Sequence, residues 1–229
     1  MASTYLSLCN QVLRRLNEVE IVASEFADVV GVQALVKDAV KAAVARLSQQ
    51  EYEWPFNAAS HTQVLTAGTT EYSWPASFKA VDWNSFQVQE DTTLGSAFKS
   101  LRFMERDEWY RNHRDDDYRA GSAGRGIPDN VFPSHGSGFG VTISPNAAYS
   151  VVFKYYLDFS TISAFDDVTR IPTSFDPVLV DGALYHMYLF KDNTENAQAA
   201  FLTFEQGLKN LQSIYINNYA SISDTRIRF

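Results

Sequence analysis

The sequence predicts an α+β protein in which a helical bundle, formed by the N- and C-terminal helices, carries an inserted β-rich domain. Apolar residues recur at helical spacing near both ends of the chain and at alternate positions in its middle. The apolar stripes of the terminal helices need a surface to pack on, so we expect the two ends to meet. The predicted bundle covers residues 1–58 and 171–216, and the predicted tail covers 217–229. The inserted domain, 59–170, is expected to be antiparallel and sandwich- or barrel-like.

The strongest helical pattern lies between Ile171 and Ile216. Pro177 falls in a first turn, where a missing N–H costs nothing, and Ser174 or Asp176 is placed to cap the helix. This helix is apolar on opposite faces, so we expect it to be buried on nearly all sides. A polar corner at 191–194 leads into a second helix with one apolar stripe, made of Ala197, Phe201, Phe204, Leu208, Leu211 and Tyr215.

Two further helices are predicted at the N-terminus. The first begins at a Ser3 or Thr4 cap and carries Cys9 on its apolar stripe. The second carries an apolar stripe from Val32 to Leu47 and stops before Pro55, because the residue before a proline avoids the helical conformation. Its alanines allow another helix to approach closely, so we expect it to pack on the segment 175–190.

The middle of the chain has the pattern of short strands. Residues 62–66 and 69–75, joined by a turn at Ala67-Gly68, predict a β-hairpin. Further strands are predicted at 83–89, 101–104, 131–132, 139–143 and 149–157, with a helical turn at 105–112. The glycine-rich stretch 120–126 is predicted to be a flexible surface loop.

Composition excludes some classes of function. A net charge of −8 and a pI near 5.0 argue against a surface that grips nucleic acid. The 14% of aromatic residues is typical of protein interfaces or of aromatic-rich β-structure. Cys9 is the only cysteine, so it cannot form an internal disulfide and indicates a reducing compartment. No apolar run approaches about 18 residues, and no signal peptide is recognisable, so we expect a cytosolic protein or one in a particle assembled there.

The sequence predicts no enzyme and no cofactor. The four histidines are scattered and lack metal-ligand spacing. The stretch 121–126 lacks the ending of a phosphate-binding loop and its strand and helix flanks. Ser134, His135 and Asp129 are nominal members of a catalytic triad, yet no nucleophile-elbow pattern accompanies them.

Two polar stretches are candidate interaction sites. The first is a mixed charged run of Arg111, Arg114, Asp115, Asp116, Asp117 and Arg119, which predicts either a solvated face or a salt-bridge interface with a neighbouring subunit. The second is the end of the chain, with Ile222, Asp224, Arg226, Ile227, Arg228 and Phe229. Its arginines and apolar anchors favour a segment that orders on docking, and the alternative is a frayed terminus.

Several local patterns, taken in order, resemble one protein family. They are Tyr5 to Glu18, Glu51 to Phe56, Ile171-Pro172-x-x-Phe175, Val180-Asp181-Gly182-Ala183-x-Tyr185, Phe204-Glu205-x-Gly207-Leu208 and Asp224-Thr225-Arg226. Together they resemble the head-to-tail adaptor of short-tailed bacteriophages, the podoviruses. The similarity touches both ends of the chain and is thin through roughly residues 85–130. The matched positions are packing and capping patterns rather than catalytic motifs.

The resemblance implies a non-enzymatic structural protein of the virion neck, assembled in the host cytoplasm. It implies a twelve-copy ring between the portal protein ring and the distal tail, or nozzle, through which genomic DNA passes without sequence-specific binding and without membrane contact. The helical bundle would face the portal, the β-domain the nozzle, and the C-terminal tail would insert into the portal. The charged run from Arg111 to Arg119 would then meet a neighbouring subunit or the distal tail. The alternative from another class is a non-viral ligand- or glycan-binding module with a β-domain on a helical support, which a deep pocket in a monomer would indicate.

Overall fold

The computed structural model describes residues 3–51, 53–89, 97–119, 121–136, 138–158 and 162–216. The chain divides into two compact units. The helical unit comprises Met1–Asn57 and Asp158–Phe229, and the β unit comprises Ala58–Leu157. Helices at both ends of the chain with largely antiparallel sheets between them confirm the predicted α+β class.

Six helices and nine strands are present in the described part of the chain. The helices are α1 (Tyr5–Arg15), α2 (Val32–Gln50), α3 (Arg106–Asn112), α4 (Arg114–Arg119), α5 (Asp176–Phe190) and α6 (Thr194–Tyr215). The strands are β1 (Ala58–Val64), β2 (Glu71–Ser73), β3 (Phe78–Val81), β4 (Gln87–Gln89), β5 (Phe98–Ser100), β6 (Arg102–Phe103), β7 (Asn130–Pro133), β8 (Gly138–Thr142) and β9 (Ser150–Leu157).

Helix α5 lies at the centre of the helical unit, where it packs against α1, α2 and α6. Its side chains on opposite faces are buried, because each face meets a different helix: Leu179, Val180, Ala183, Leu184 and Met187. They share one core with Leu8 and Val12 of α1, Val40 and Leu47 of α2, and Phe204 and Leu208 of α6. The two ends of the chain therefore pack on each other, as the sequence predicts.

The C-terminal end of α5 departs from the prediction of burial on nearly all sides. Leu189 is 46% exposed and Phe190 is 61% exposed. The corner that follows agrees with the prediction: Asp192 takes a positive φ of 55°, and the Asn193 side chain accepts a hydrogen bond from the Asn196 N–H to cap α6. The stripe of α6 is also confirmed, since Ala197, Phe204, Leu208 and Leu211 are buried.

The starts of α1 and α5 differ in how they are capped. Thr4 caps α1 by accepting the Ser7 N–H at its hydroxyl oxygen, as predicted. The predicted side-chain cap of α5 is not formed, because a 3-10 turn over Thr173–Phe175 leads directly into the helix. The Asp176 carboxylate instead accepts a hydrogen bond from the Ser3 hydroxyl, and burial raises the pKa of this carboxyl group.

The segment between β9 and α5 belongs to the helical unit, whereas the sequence assigned residues 158–170 to the β-rich domain. The Tyr5 N–H donates to the Asp167 carbonyl at 2.7 Å, and the Leu6 N–H donates to the Phe165 carbonyl at 3.1 Å. Ile162 is buried in the core of the helical unit. These contacts satisfy free donors at the start of α1, which is why the segment clusters with the helices.

The β unit contains two open sheets rather than a closed barrel, among the residues described. In the five-stranded sheet β9 is central: β1 pairs with one of its edges, and β3 and β4 share the other edge. Strand β5 pairs with the far side of β4. The four-stranded sheet has the order β2-β8-β7-β6, with β6 and β7 parallel. The shared core includes Phe86, Phe139, Val151 and Phe153, all essentially buried.

The predicted hairpin is wrong, although the turn that suggested it exists. Strand β1 pairs with β9, and β2 pairs with β8, so the two strands belong to different sheets. The connection between them is held by other partners: the Leu65 N–H donates to the Tyr149 carbonyl and the Gly68 N–H to the Pro145 carbonyl. These long-range bonds outcompete local pairing, and Gly68 supplies the positive φ of 79° that the turn needs.

Most other predicted elements of the β unit form within a few residues of their expected bounds. In 83–89 only Gln87–Gln89 is a strand, because Trp83–Ser85 forms a 3-10 turn capped by Asp82. The described part of the glycine-rich stretch contains a 3-10 turn at Ser122–Gly124. There the Gly126 N–H donates to the Ser144 carbonyl at 3.0 Å, so this end of the loop is hydrogen-bonded to its unit.

Gly182 lies where three helices of the helical unit approach one another closely. A Cβ added to it would lie 2.8 Å from the Phe204 ring on α6 and 3.1 Å from the Ala43 Cβ on α2. Such distances leave no room for a methyl group, so only glycine lets α2, α5 and α6 meet at this level.

We expect Gly182→Ala to lower the free energy of unfolding. Alanine gains about 1 kcal/mol of helix propensity. Overpacking against a buried ring costs about 1–3 kcal/mol, so a net loss of about 1 kcal/mol follows. Urea unfolding monitored by circular dichroism measures it. The exposed control Ala199→Gly reports the propensity term alone, and a more stable Gly182→Ala variant would contradict the packing account.

Candidate functional site

The most structured candidate for recognition is the helical excursion α3–α4 in the β unit. Trp109 of α3 is 1% exposed and stacks on Phe132 of β7, with ring centroids 4.3 Å apart. The Trp109 indole N–H donates to one oxygen of the Asp117 carboxylate at 2.9 Å. The Ser144 backbone N–H donates to the other oxygen at 3.0 Å. One buried carboxylate therefore fixes both short helices to the strand region after β8.

The outer side of the excursion displays an aromatic–arginine patch, defined as Tyr110, Arg114 and Tyr118. The Arg114 guanidinium carbon lies 4.4 Å from the Tyr110 ring centroid and 5.8 Å from that of Tyr118. Tyr110 is 47% exposed and Tyr118 is 67% exposed. Tyrosine and arginine supply much of the binding energy at protein interfaces, and the underlying anchor holds these side chains in place before binding.

The residues of the predicted charged patch do not all lie on this surface. Arg111, Asp115 and Asp116 are exposed and Arg114 is half-buried, while Arg119 is the last residue of α4. Asp117 is different: it is 8% exposed, and its carboxylate is already engaged as the acceptor described above, so its position does not favour a role in such an interface. The assignment of the other residues to such an interface stays a prediction.

The sequence analysis missed Tyr110, Tyr118 and the role of Asp117. A signal for Asp117 was available, because a buried tryptophan needs an acceptor for its N–H, and an aspartate follows Trp109 by eight residues. In the structure it supplies that acceptor from the next helix, α4. The remaining predicted site residues, Ile222, Asp224, Arg226, Ile227, Arg228 and Phe229, lie outside the described residues.

The helical unit offers apolar surface of its own. Leu202 and Ile214 of α6 are exposed, as is the end of α5 described above. A groove of about 430 Å³ runs between α5 and α6, lined by Pro177, Val178, Asp181, Leu202 and Gly207, among others. Asp181 is already paired with Arg15 of α1. The groove is open, and its one carboxylate already has a positively charged partner. These features suit a contact with another protein better than the binding of a small molecule.

The side chains considered as members of a catalytic triad or a metal site have other surroundings in the structure. The Ser134 hydroxyl donates to Glu71 at 2.8 Å, and Asp129 pairs with Lys99, so each has a partner other than His135. A catalytic triad would instead link these groups through the histidine. His186 is half-buried; burial, together with the positive charge of Arg46, lowers its pKa. Among the described residues, no group of three or more His, Cys, Asp or Glu side chains could hold a metal ion.

Cys9 is a fully buried thiol in the core of the helical unit. Burial raises the pKa of this thiol to about 12. The thiolate, which is the reactive form, is therefore almost absent at neutral pH, and Cys9 acts as a small apolar side chain.

No helix in the described ranges is both long and apolar enough to cross a membrane. Separately, the anchored helices α3 and α4 present exposed tyrosines beside Arg114, a surface suited to contacts with other proteins, as in a structural or adaptor protein.

The chain belongs to the SU10 adaptor protein family, whose sequence model matches residues 3–226. It is thus a bacteriophage adaptor protein, and the resemblance drawn from the sequence is confirmed. None of the curated proteins compared with the chain matches it. Membership of this family argues against the alternative of a non-viral ligand- or glycan-binding module.

We expect Asp117→Ala to destabilise the β unit, because the substitution leaves the Trp109 indole and the Ser144 N–H buried without an acceptor. Two such orphaned donors cost about 2–4 kcal/mol in the free energy of unfolding. Asp117→Asn keeps one acceptor oxygen and should lose less. The exposed neighbour gives the control: Asp116→Ala should stay within about 0.5 kcal/mol of the parent protein in the same urea titration. Equal effects at the two positions would contradict the anchoring role.

Proposed function

We propose that this adaptor assembles as a twelve-copy ring in the virion neck, between the portal ring and the nozzle, where it extends the DNA channel. It acts without catalysis. The observation that carries the proposal is the extent of the family match, from residue 3 to residue 226, which spans both the helical unit and the β unit. Both units therefore contribute to the adaptor role rather than one being an unrelated addition.

The two units take different partners in this proposal. The helical unit faces the portal, and Arg226, Arg228 and Phe229 of the C-terminal tail enter it. The β unit faces the nozzle, with the aromatic–arginine patch and the exposed Arg111, Asp115 and Asp116 as contacts with the nozzle or a neighbouring subunit. A rigid patch that mixes tyrosine and arginine suits this task, because little conformational entropy is lost when it binds.

Subunits of the ring meet head to tail. Such a contact uses two different surfaces of the same chain and closes only when its rotation fits the number of copies. This kind of interface distinguishes the proposal from a two-fold dimer, in which one surface would meet itself.

The charge of the chain suits a conduit for DNA. Each copy carries a net charge of −8, and a ring of such copies repels the phosphate backbone more than it attracts it. Genomic DNA therefore passes without sequence-specific binding, on its way out during genome ejection. The ring belongs to the tail of a particle assembled in the host cytoplasm.

The test is to mix the purified chain with the portal ring of the same phage and examine the product by electron microscopy. We expect a twelve-fold complex with the full chain and none after truncation at Ile216, because the truncation removes the docking tail. Arg226→Ala with Arg228→Ala should weaken association, whereas the exposed control Lys209→Ala on α6 should not. Circular dichroism verifies that each variant is folded. Failure of the full chain to bind the portal would contradict the proposal.

A further inference from the structure

Strand β1 forms one outer edge of the five-stranded sheet, and the register identifies which of its backbone groups face outward. The Leu65 N–H donates to the Tyr149 carbonyl, in the same register as the pairs from Ala58–Tyr156 to Val64–Ser150. Hydrogen-bonded and non-hydrogen-bonded pairs alternate in an antiparallel ladder. The backbone N–H and C=O groups of residues 58, 60, 62 and 64 therefore point away from β9.

The outward edge of β1 lacks the usual protection against pairing with another chain. Sheet edges are commonly guarded by charged residues, prolines or bulges. The segment Ala58-Ala59-Ser60-His61-Thr62-Gln63-Val64 contains no lysine, arginine, aspartate, glutamate or proline, and its pairing with β9 is continuous. The side chains of residues 58, 60, 62 and 64 are exposed. Within the described ranges, one of these outward backbone groups has a partner: the Val64 carbonyl accepts from the Gln63 side-chain amide at 2.9 Å.

Strand β5 forms the opposite edge of the path β1-β9-β4-β5. The Leu101 N–H donates to the Phe86 carbonyl, in the register that pairs Lys99 with Val88. By the same alternation, the backbone groups of Phe98 and Ser100 point away from β4. All three residues of β5 are exposed.

We propose that β1 of one copy pairs with β5 of the next copy, so that the five-stranded sheets join across the subunit interface. Each strand along this path is antiparallel to its neighbour: β1 to β9, β9 to β4 and β4 to β5. Strands β1 and β5 therefore run in opposite directions. A neighbour placed in the same orientation brings its β1 antiparallel to β5, and the hydrogen-bonding pattern continues.

The charges of the two edges are compatible. Strand β1 contains no lysine, arginine, aspartate or glutamate, and the Lys99 ammonium of β5 is paired with the Asp129 carboxylate. Pairing of β1 with β1 of a second copy would also be antiparallel, but it would leave β5 unused and would produce a closed dimer instead of a chain of subunits.

This inference rests on the proposed ring and names the contact that holds its copies together. Because β5 has only three residues, the joint contributes few hydrogen bonds. We therefore expect free subunits to stay apart in solution and to join when the portal aligns them.

The first experiment uses proline at an outward position. Thr62→Pro removes an N–H that points away from β9 and makes no bond to any residue that the structure describes. An edge strand tolerates proline at such a place. Thr62→Ala is the matched control, since it removes the same side chain and keeps the N–H. With the portal ring, we expect Thr62→Ala to form the twelve-fold complex and Thr62→Pro to lose it. Equal ring formation by the two variants would overturn the inference.

The second experiment does not depend on how well the proline variant folds. Thr62→Cys, or Ser60→Cys in case the register differs, is combined with Ser100→Cys and oxidised in the presence of the portal. Opposed residues in a ladder have the Cα separation that a disulfide needs. The buried thiol of Cys9 does not interfere. We expect a ladder of disulfide-linked multimers, and none from the exposed loop control Thr69→Cys with Ser100→Cys.

The outcomes separate the two proposals. If a ring forms with the portal but neither pair of cysteines gives disulfide-linked multimers, the proposed pairing of β1 with β5 is wrong. The proposed function then still holds. Linked dimers from Thr62→Cys alone would indicate β1–β1 pairing and overturn the joint as well. If the unsubstituted chain forms no ring with the portal, the proposed function is wrong, and so is the proposed pairing of β1 with β5 between copies.

Discussion

The contact on which the helical unit depends is the meeting of α2, α5 and α6 around Gly182. Helix α5 buries apolar side chains on opposite faces along most of its length, and only its C-terminal end exposes large apolar side chains. It can be buried only if helices from both ends of the chain surround it, and α1 and α2 come from residues that precede the whole β unit. The segment 158–170 completes this arrangement by bonding to the start of α1. The discontinuous unit follows from the burial of one helix.

In the β unit, the two short polar helices α3 and α4 are anchored to the region that follows strand β8. A single carboxylate does this by accepting from an indole and from a backbone amide. Because both donors are buried, the arrangement is costly to disrupt, and the outer tyrosines and arginine keep a defined geometry. Such a fixed surface is suited to the protein contacts of a phage adaptor, the family to which the chain belongs.

Local pattern predicted the helices, the α+β class and most strands, because each depends on periodicity within a short window. It failed where distant residues decide the outcome. Ala67-Gly68 forms a turn, yet bonds from Leu65 and Gly68 to residues near 145–149 direct β1 and β2 into different sheets. The charged run was predicted as one surface, but Asp117 turns inward to satisfy Trp109. Asp117 is buried and Asp116 is exposed because the fold brings Trp109 and Ser144 to Asp117, which the run of three aspartates does not reveal.

The central claim is that the two chain ends form one core that needs nothing from the middle. Ala58 and Tyr156 are directly opposed in the sheet, about 5 Å apart at their Cα atoms, so a short Gly-Ser linker can replace residues 58–157. Urea unfolding of this shortened protein, followed by circular dichroism at the helical minimum, is the most direct test. The account predicts a helical signal that is lost in one cooperative transition. A shortened protein without helical signal, or one that unfolds without cooperativity, would contradict it.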